Sequence, residues 1–180
     1  GSKGFSGVLY IQKPQLHFIR SNEKLLDRDK ESEDTGSAFF DADRDGDLDL
    51  YVCSGGNEFS SNSVALSDRL YINDGEGRFA KSPQILPASN FESTSTVQAA
   101  DYDGDGDQDL FVGTRLVPFL YGVSVYGYIL NNDGKGIFSD ITKKSAPGLI
   151  GLGMITDAIW SDIDDDKDYD LLVVGEYMPI

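Results

Sequence analysis

Short apolar runs separated by glycine- and aspartate-rich turns dominate the chain, with little of the 3.6-residue periodicity of an amphipathic helix. Leu50-Tyr-Val-Cys53, Leu110-Phe-Val112 and Leu171-Leu-Val-Val174 are nearly continuous apolar runs, which predicts strands buried on both faces. Each follows an aspartate-rich loop. Before those loops lie Ser37-Ala-Phe-Phe40, Val97-Gln-Ala-Ala100 and Ala158-Ile-Trp-Ser161, the predicted entering strands. A second pattern, Leu70-Tyr-Ile-Asn-Asp-Gly-Glu-Gly-Arg-Phe79, is echoed by Ile129-Leu-Asn-Asn-Asp-Gly-Lys-Gly-Ile-Phe138. Asp-Gly-x-Gly between short β-prone runs predicts a hairpin. Leu9-Tyr-Ile-Gln-Lys-Pro-Gln-Leu-His-Phe18 is a worn third copy, in which Pro14 and Gln15 predict a different turn.

One unit therefore reads as four strands: one entering the acidic loop, one leaving it, and two arms of an Asp-Gly hairpin. The loops begin at Asp41, Asp101 and Asp162, so the unit repeats at about 60 residues. Four short strands per unit predict an all-β fold of β-propeller type, with about three four-stranded blades. The expected division is a trailing half-blade over 1–34, blades over 35–95 and 96–155, and a leading half-blade over 156–180. Three blades do not close a propeller. The expectation is a fragment of a longer propeller, or a homo-oligomer joined through open sheet edges.

Long connections are expected to carry recognition. Between the second and third strands they are Ser54 to Ser63 and Arg115 to Gly122; between units, Arg20 to Thr35, Lys81 to Thr94 and Lys143 to Ile155. Leu116-Val-Pro-Phe-Leu-Tyr121 is expected to fold over the blade as local core rather than form an exposed aromatic patch. The charge run Asp27 to Asp34 is expected to be a solvated linker.

Composition alters this picture in one respect. The 180 residues are ordinary in apolar and charged content, but the net charge is −16. Fifteen of the 31 acidic residues fall in the three loops. Such acidity argues against nucleic acid or an anionic membrane surface as partner. The one cysteine, Cys53, excludes an intrachain disulfide and reads as a small buried hydrophobe. No apolar stretch of about 18 residues predicts a membrane span.

The loops carry the candidate chemistry. Loop one offers Asp41, Asp43, Asp45, Asp47 and Asp49, with Gly46 at the sixth position. Loop two offers Asp101, Asp103, Asp105, Asp107 and Asp109, with Gly106 at the bend. Loop three offers Asp162, Asp164, Asp166, Asp168 and Asp170, but Lys167 replaces the glycine. Like charges at every second position are unfavourable in a compact fold without a counter-cation. Hard oxygen ligands around a sharp glycine turn suit Ca²⁺ better than Mg²⁺. Up to three structural Ca²⁺ ions are expected, the third held most weakly because a non-glycine bend costs about 1 kcal/mol. Position twelve is Val52, Val112 or Val173 rather than glutamate, so these are not EF-hands. Cytosolic calcium is too scarce for modest-affinity sites, which predicts an extracellular, cell-surface or periplasmic protein.

These residues resemble the FG-GAP/VCBS repeat family, which includes the calcium-bearing blades of integrin α-subunits. The resemblance rests on Asp-x-Asp-x-Asp-Gly-x-x-Asp followed by Leu-Tyr-Val or Leu-Phe-Val, and on Asn-Asp-Gly-x-Gly-x-Phe. Ser54-Gly-Gly-Asn-Glu-Phe59, Asp68-Arg-Leu-Tyr-Ile-Asn73, Arg115-Leu-Val-Pro118 and Val174-Gly-Glu-Tyr-Met-Pro-Ile180 are also similar to bacterial VCBS-repeat proteins related to cartilage acidic protein. Those are often capped by an ASPIC/UnbV domain, which is not found here. The resemblance implies a propeller, calcium at the loop aspartates, export, and adhesion to a protein or glycan ligand.

The expected function is thus a non-enzymatic, calcium-stabilised binding module. The alternative is a polysaccharide-acting hydrolase or lyase, for which Glu58 and Glu176 form a candidate carboxylate pair. A third reading is a purely structural spacer. His17 is expected to be structural.

Overall fold

The computed structural model describes residues 3–21, 24–60, 62–86 and 92–178. Parts of four expected stretches lie outside them: 22–23 of Arg20 to Thr35, 61 of Ser54 to Ser63, 87–91 of Lys81 to Thr94, and the terminal Pro179 and Ile180. Among the described residues, twelve strands form four antiparallel sheets, none of which closes into a barrel. The first sheet is the hairpin β1 (Tyr10–Lys13) and β2 (His17–Arg20). The second runs β3 (Glu33–Phe40), β4 (Asp49–Gly55), β5 (Arg69–Asn73) and β6 (Phe79–Lys81) in chain order. The third repeats that order with β7 (Ser93–Ala100), β8 (Asp109–Leu116), β9 (Gly127–Asn131) and β10 (Ser139–Asp140). The fourth is the pair β11 (Met154–Ser161) and β12 (Asp170–Glu176). One helical turn, α1 (Thr142–Ser145), follows β10.

The repeat extends to register. Phe40 faces Asp49, Ala100 faces Asp109 and Ser161 faces Asp170, so every acidic loop closes the same rung. Register shifts recur four to six residues before each rung, between Asp34 and Gly36, Thr94 and Thr96, and Ile155 and Asp157. The worn hairpin keeps its register too: Tyr10 faces Arg20 as Tyr71 faces Lys81. Its turn differs as expected, with Gln15 and Leu16 both at positive φ.

The second, third and fourth sheets pack face to face in chain order, whereas β1 and β2 are exposed along their length. Tyr51, Cys53 and Leu70 of the second sheet meet Val97, Leu110 and Val112 of the third. Phe111 and Ile129, on the other face of the third sheet, meet Ile155, Ala158, Leu171 and Val173 of the fourth. β4 and β8 are therefore buried on both faces, which is why their sequences do not alternate. β12 is covered on one face only, contrary to the expectation for all three leaving strands. Its sequence matches β4 and β8, but among the described residues no sheet lies beyond it.

Close approach of the sheets requires glycine. A Cβ on Gly36 would lie 2.6 Å from the Ser95 carbonyl oxygen, which leaves room for hydrogen alone. A hydroxyl at each of the first two bulges staples neighbouring sheets: Thr35 donates to the Thr94 carbonyl at 2.7 Å, and Ser95 to the Ile155 carbonyl at 2.7 Å.

The charge run is not a solvated linker. Asp29 accepts from Lys81 at 2.6 Å and from the Tyr71 hydroxyl at 2.8 Å. Asp34 accepts from the buried Arg69 guanidinium at 2.6 Å. Together with Leu25 and Leu26 packing over Leu50 and Val52, these acids dock residues 24–34 onto the second sheet. The burial of Arg69 demanded an acidic partner, and spacing along the chain gave no sign of it.

Candidate metal centres

Each acidic loop connects the first two strands of its sheet, and all three fold alike. The first aspartate accepts from the backbone N–H of the sixth residue at 3.1 Å: Asp41 from Gly46, Asp101 from Gly106, Asp162 from Lys167. The fifth accepts from the N–H of the seventh: Asp45 from Asp47 at 3.1 Å, Asp105 from Asp107 at 3.0 Å, Asp166 from Asp168 at 3.1 Å. These bonds bend the chain so that the carboxylates converge. Ligand oxygens of Asp41, Asp43 and Asp45 lie within 4.8 Å of one another, as do those of Asp101, Asp103 and Asp109, and of Asp162, Asp164 and Asp170.

The bend uses two left-handed residues. Position six has φ of 94° at Gly46, 91° at Gly106 and 80° at Lys167. Position four has φ of 65° at Arg44, 75° at Gly104 and 64° at Asp165. The sequence pattern pointed to the sixth position alone, because the fourth is not consistently glycine. Loop three holds both positions with side chains and is the most strained of the three.

The ninth aspartate anchors the loop to its sheet. Asp49 is fully buried and accepts from the N–H groups of Ala42 and Asn73, both at 2.8 Å. Asp109 is equally buried and accepts from Asn132 N–H at 2.8 Å. Asp170 accepts from Ile163 N–H at 2.9 Å. Burial, then the like charges of Asp103 and Asp107, push the Asp109 carboxyl up to about 6. Burial and then Asp45 push Asp43 upward as well.

Whether a hard cation fits can be judged from the oxygens. Buried carboxylate oxygens on Asp41, Asp43, Asp47, Asp101, Asp107 and Asp109 have no hydrogen-bond partner. Such atoms are rare in folded proteins, and six clustered in two loops form donor sets for a divalent ion. Loop three is open to solvent and contributes none among the described residues.

Residues 41–112 match the family model of the FG-GAP-like repeat. The chain carries an FG-GAP-like repeat. No curated protein matches it. The FG-GAP-like stretch begins at the first aspartate of loop one and ends in β8, so it spans both loops that hold orphaned oxygens. Loops one and two are wired together by residues that the acidic spacing did not single out. Gln108 accepts from Asp41 N–H at 3.0 Å, and Asn132 donates to the Ala42 carbonyl at 2.8 Å. Arg44 reaches over loop two, with Nη2 3.1 Å from where a Cβ on Gly106 would sit. The signal for Asn132 was present, since Asn73 occupies the same place in the other Asn-Asp-Gly turn.

The end of the sheets opposite the acidic loops differs from expectation. Pro118 is buried, but Phe119, Leu120 and Tyr121 are exposed, so the loop does not fold over as core. It is held from outside, by Asn57 accepting from Phe119 N–H and Glu176 accepting from the Tyr121 hydroxyl. Glu176 also pairs with Arg115 at 2.9 Å. Glu58 is exposed. His17 lies in the exposed β2, opposite Lys13.

Proposed function

We propose that this chain is a calcium-stabilised binding or adhesion module of β-propeller type, working outside the cytosol at a cell surface or in a periplasmic or extracellular space. The observation that carries the reading is the set of six buried, unpartnered carboxylate oxygens in loops one and two. In this reading Asp41, Asp43, Asp45 and Asp47 hold one ion, and Asp101, Asp103, Asp105, Asp107 and Asp109 a second. Asp49, whose oxygens serve backbone N–H groups, fixes the loop. Loop three, through Asp162, Asp164, Asp166, Asp168 and Asp170, holds a third and weaker ion. The ion neutralises clustered charge and pins the hairpin between the first two strands. The all-β sheets, the four-strand repeat and the FG-GAP-like match support the propeller.

The ligand, a protein or a glycan, meets the end opposite the ions. Exposed Phe119, Tyr121 and Tyr177 offer flat apolar rings there, and Arg115 and Glu176 offer polar groups beside them. Calcium titration calorimetry tests the metal reading. Two sites tighter than a third support it, and no heat of calcium binding refutes it. The alternative, a polysaccharide hydrolase or lyase using Glu58 and Glu176, gains nothing from the geometry, because Arg115 and Tyr121 already engage Glu176. Glycan turnover abolished by Glu58→Gln would reinstate it.

A further inference from the structure

Loop one takes part of its frame from the neighbouring sheet. The N–H of Asp41 donates to Gln108 Oε1 at 3.0 Å, and the Ala42 carbonyl accepts from Asn132 Nδ2 at 2.8 Å. The same Asn132 nitrogen donates to the Gln108 carbonyl at 3.0 Å, and the Asn132 N–H donates to Asp109 Oδ1 at 2.8 Å. One asparagine therefore ties the second residue of loop one to the eighth and ninth residues of loop two. Packing reinforces the tie. Ala42 is fully buried in the core that also holds Phe138, from the hairpin that Asn132 opens. Phe138 meets Phe40, just before loop one, edge to face at 6.1 Å. Arg44 reaches in the reverse direction, with Cδ 3.1 Å from where a Cβ on Gly134 would sit.

The ends of this bridge are oxygens without partners. Asp41 uses Oδ2 to accept from Gly46 N–H and bend its loop, while its Oδ1 is buried and unpartnered. Asp109 uses Oδ1 to accept from Asn132, while its Oδ2 is buried and unpartnered. Three hydrogen bonds, Asp41 to Gln108, Asn132 to Gln108 and Asn132 to Asp109, thus join one orphaned donor set to the other. The bridge is specific to this pair of loops. Asn73 serves its own loop alike, bonding Asp49 and the Leu48 carbonyl, so that part of the asparagine's role is common to both sheets. Position eight, however, is Leu48 in loop one and Tyr169 in loop three, and neither carries an amide oxygen. Among the described residues no hydrogen bond joins loop two to loop three. Their contact is a stack of Tyr102 on Trp160, with ring centroids 5.9 Å apart.

We propose that Gln108 and Asn132 are positioning residues that couple the ion sites of loops one and two, so that occupancy of each raises the affinity of the other. The inference rests on the calcium reading above. Gln108 stands between Asp107 and Asp109, so ordering those carboxylates round an ion also fixes the Gln108 acceptor. Gln108 then holds the Asp41 peptide in place, and loop one binds with less of its own ordering still to be done. A coupling of this kind is reciprocal.

Calcium calorimetry on a set of variants tests this, with Asp164→Ala throughout to silence loop three. Asp103→Ala leaves loop one alone, and Asp45→Ala leaves loop two alone; all three aspartates are exposed members of their carboxylate sets. With both loops intact, the product of the two association constants should exceed the product of those measured singly by about fivefold or more. In Gln108→Leu, which copies Leu48 of loop one, the excess falls to unity. In Gln108→Glu, which keeps an acceptor oxygen, it remains. Equal products with Gln108 in place overturn the coupling and leave two independent calcium sites standing. An excess that survives Gln108→Leu overturns the role given to the bridge. No heat of calcium binding in any of these proteins removes the calcium reading and the coupling together.

Discussion

At Asp165 and Lys167 the third loop forces side chains into a left-handed conformation that glycine adopts at both equivalent places in loop two. Each such residue costs about 1 kcal/mol. Lys167→Gly is therefore expected to raise the stability of the chain by about 1 kcal/mol and to tighten metal binding at loop three, as read by thermal melting and calcium calorimetry. No change in either would mean that the bend is not what weakens the loop. A second residue has a pH signature. Asp68 is buried, accepts from Tyr51, Ser54 and Thr94, and burial pushes its carboxyl up to about 6. A carboxyl raised on folding binds its proton more readily in the folded state. The charged form therefore costs stability at pH 7, and that cost is relieved as pH falls through about 6 towards the ordinary carboxylate value. The wild type should gain melting temperature relative to Asp68→Asn between pH 7 and pH 4.5, and a constant difference between the two would contradict the assignment. Gly46 and Gly106 were legible because a hard-ligand loop needs them. Arg44 at position four was not, because an arginine in that conformation is held by the loop as a whole.

At the scale of elements, the sheets are held by contacts too close for any side chain. Gly36→Ala should destabilise the chain by about 2 kcal/mol, since the added methyl meets the Ser95 backbone and cannot be relieved by a rotamer change. Denaturant melts measure this, and a neutral effect would show that the second and third sheets are free to separate. Antiparallel strands and their hairpins could be read from the apolar runs and Asp-Gly turns, and even the worn hairpin keeps its register. Two stretches misled for opposite reasons. Residues 27–34 looked like solvated charge, yet Asp29 and Asp34 serve Tyr71, Lys81 and Arg69, partners more than 30 residues away. The Phe119 to Tyr121 stretch looked like core, yet its rings face outward. Composition records neither the distant partner nor the direction of a loop.

For the whole molecule the decisive quantity is the charge of −16, concentrated where three loops turn at one end of the sheets. The carboxylate sets were legible as alternating aspartates; which oxygens lie buried without partners was not, because burial belongs to the folded loop and not to the spacing of its residues. Asp45→Ala and Asp105→Ala should each lower the melting temperature in calcium and change it far less in chelator. The most direct measurement is a thermal melt of the same protein in millimolar calcium and again after chelation. An ion bound only by the folded state at a hundred times its dissociation constant contributes about 2.7 kcal/mol. For a chain of this size that corresponds to roughly 5–10 °C per site. Calcium stabilisation predicts that rise, its loss on chelation and its return when calcium is restored; identical melting in all three conditions would contradict it.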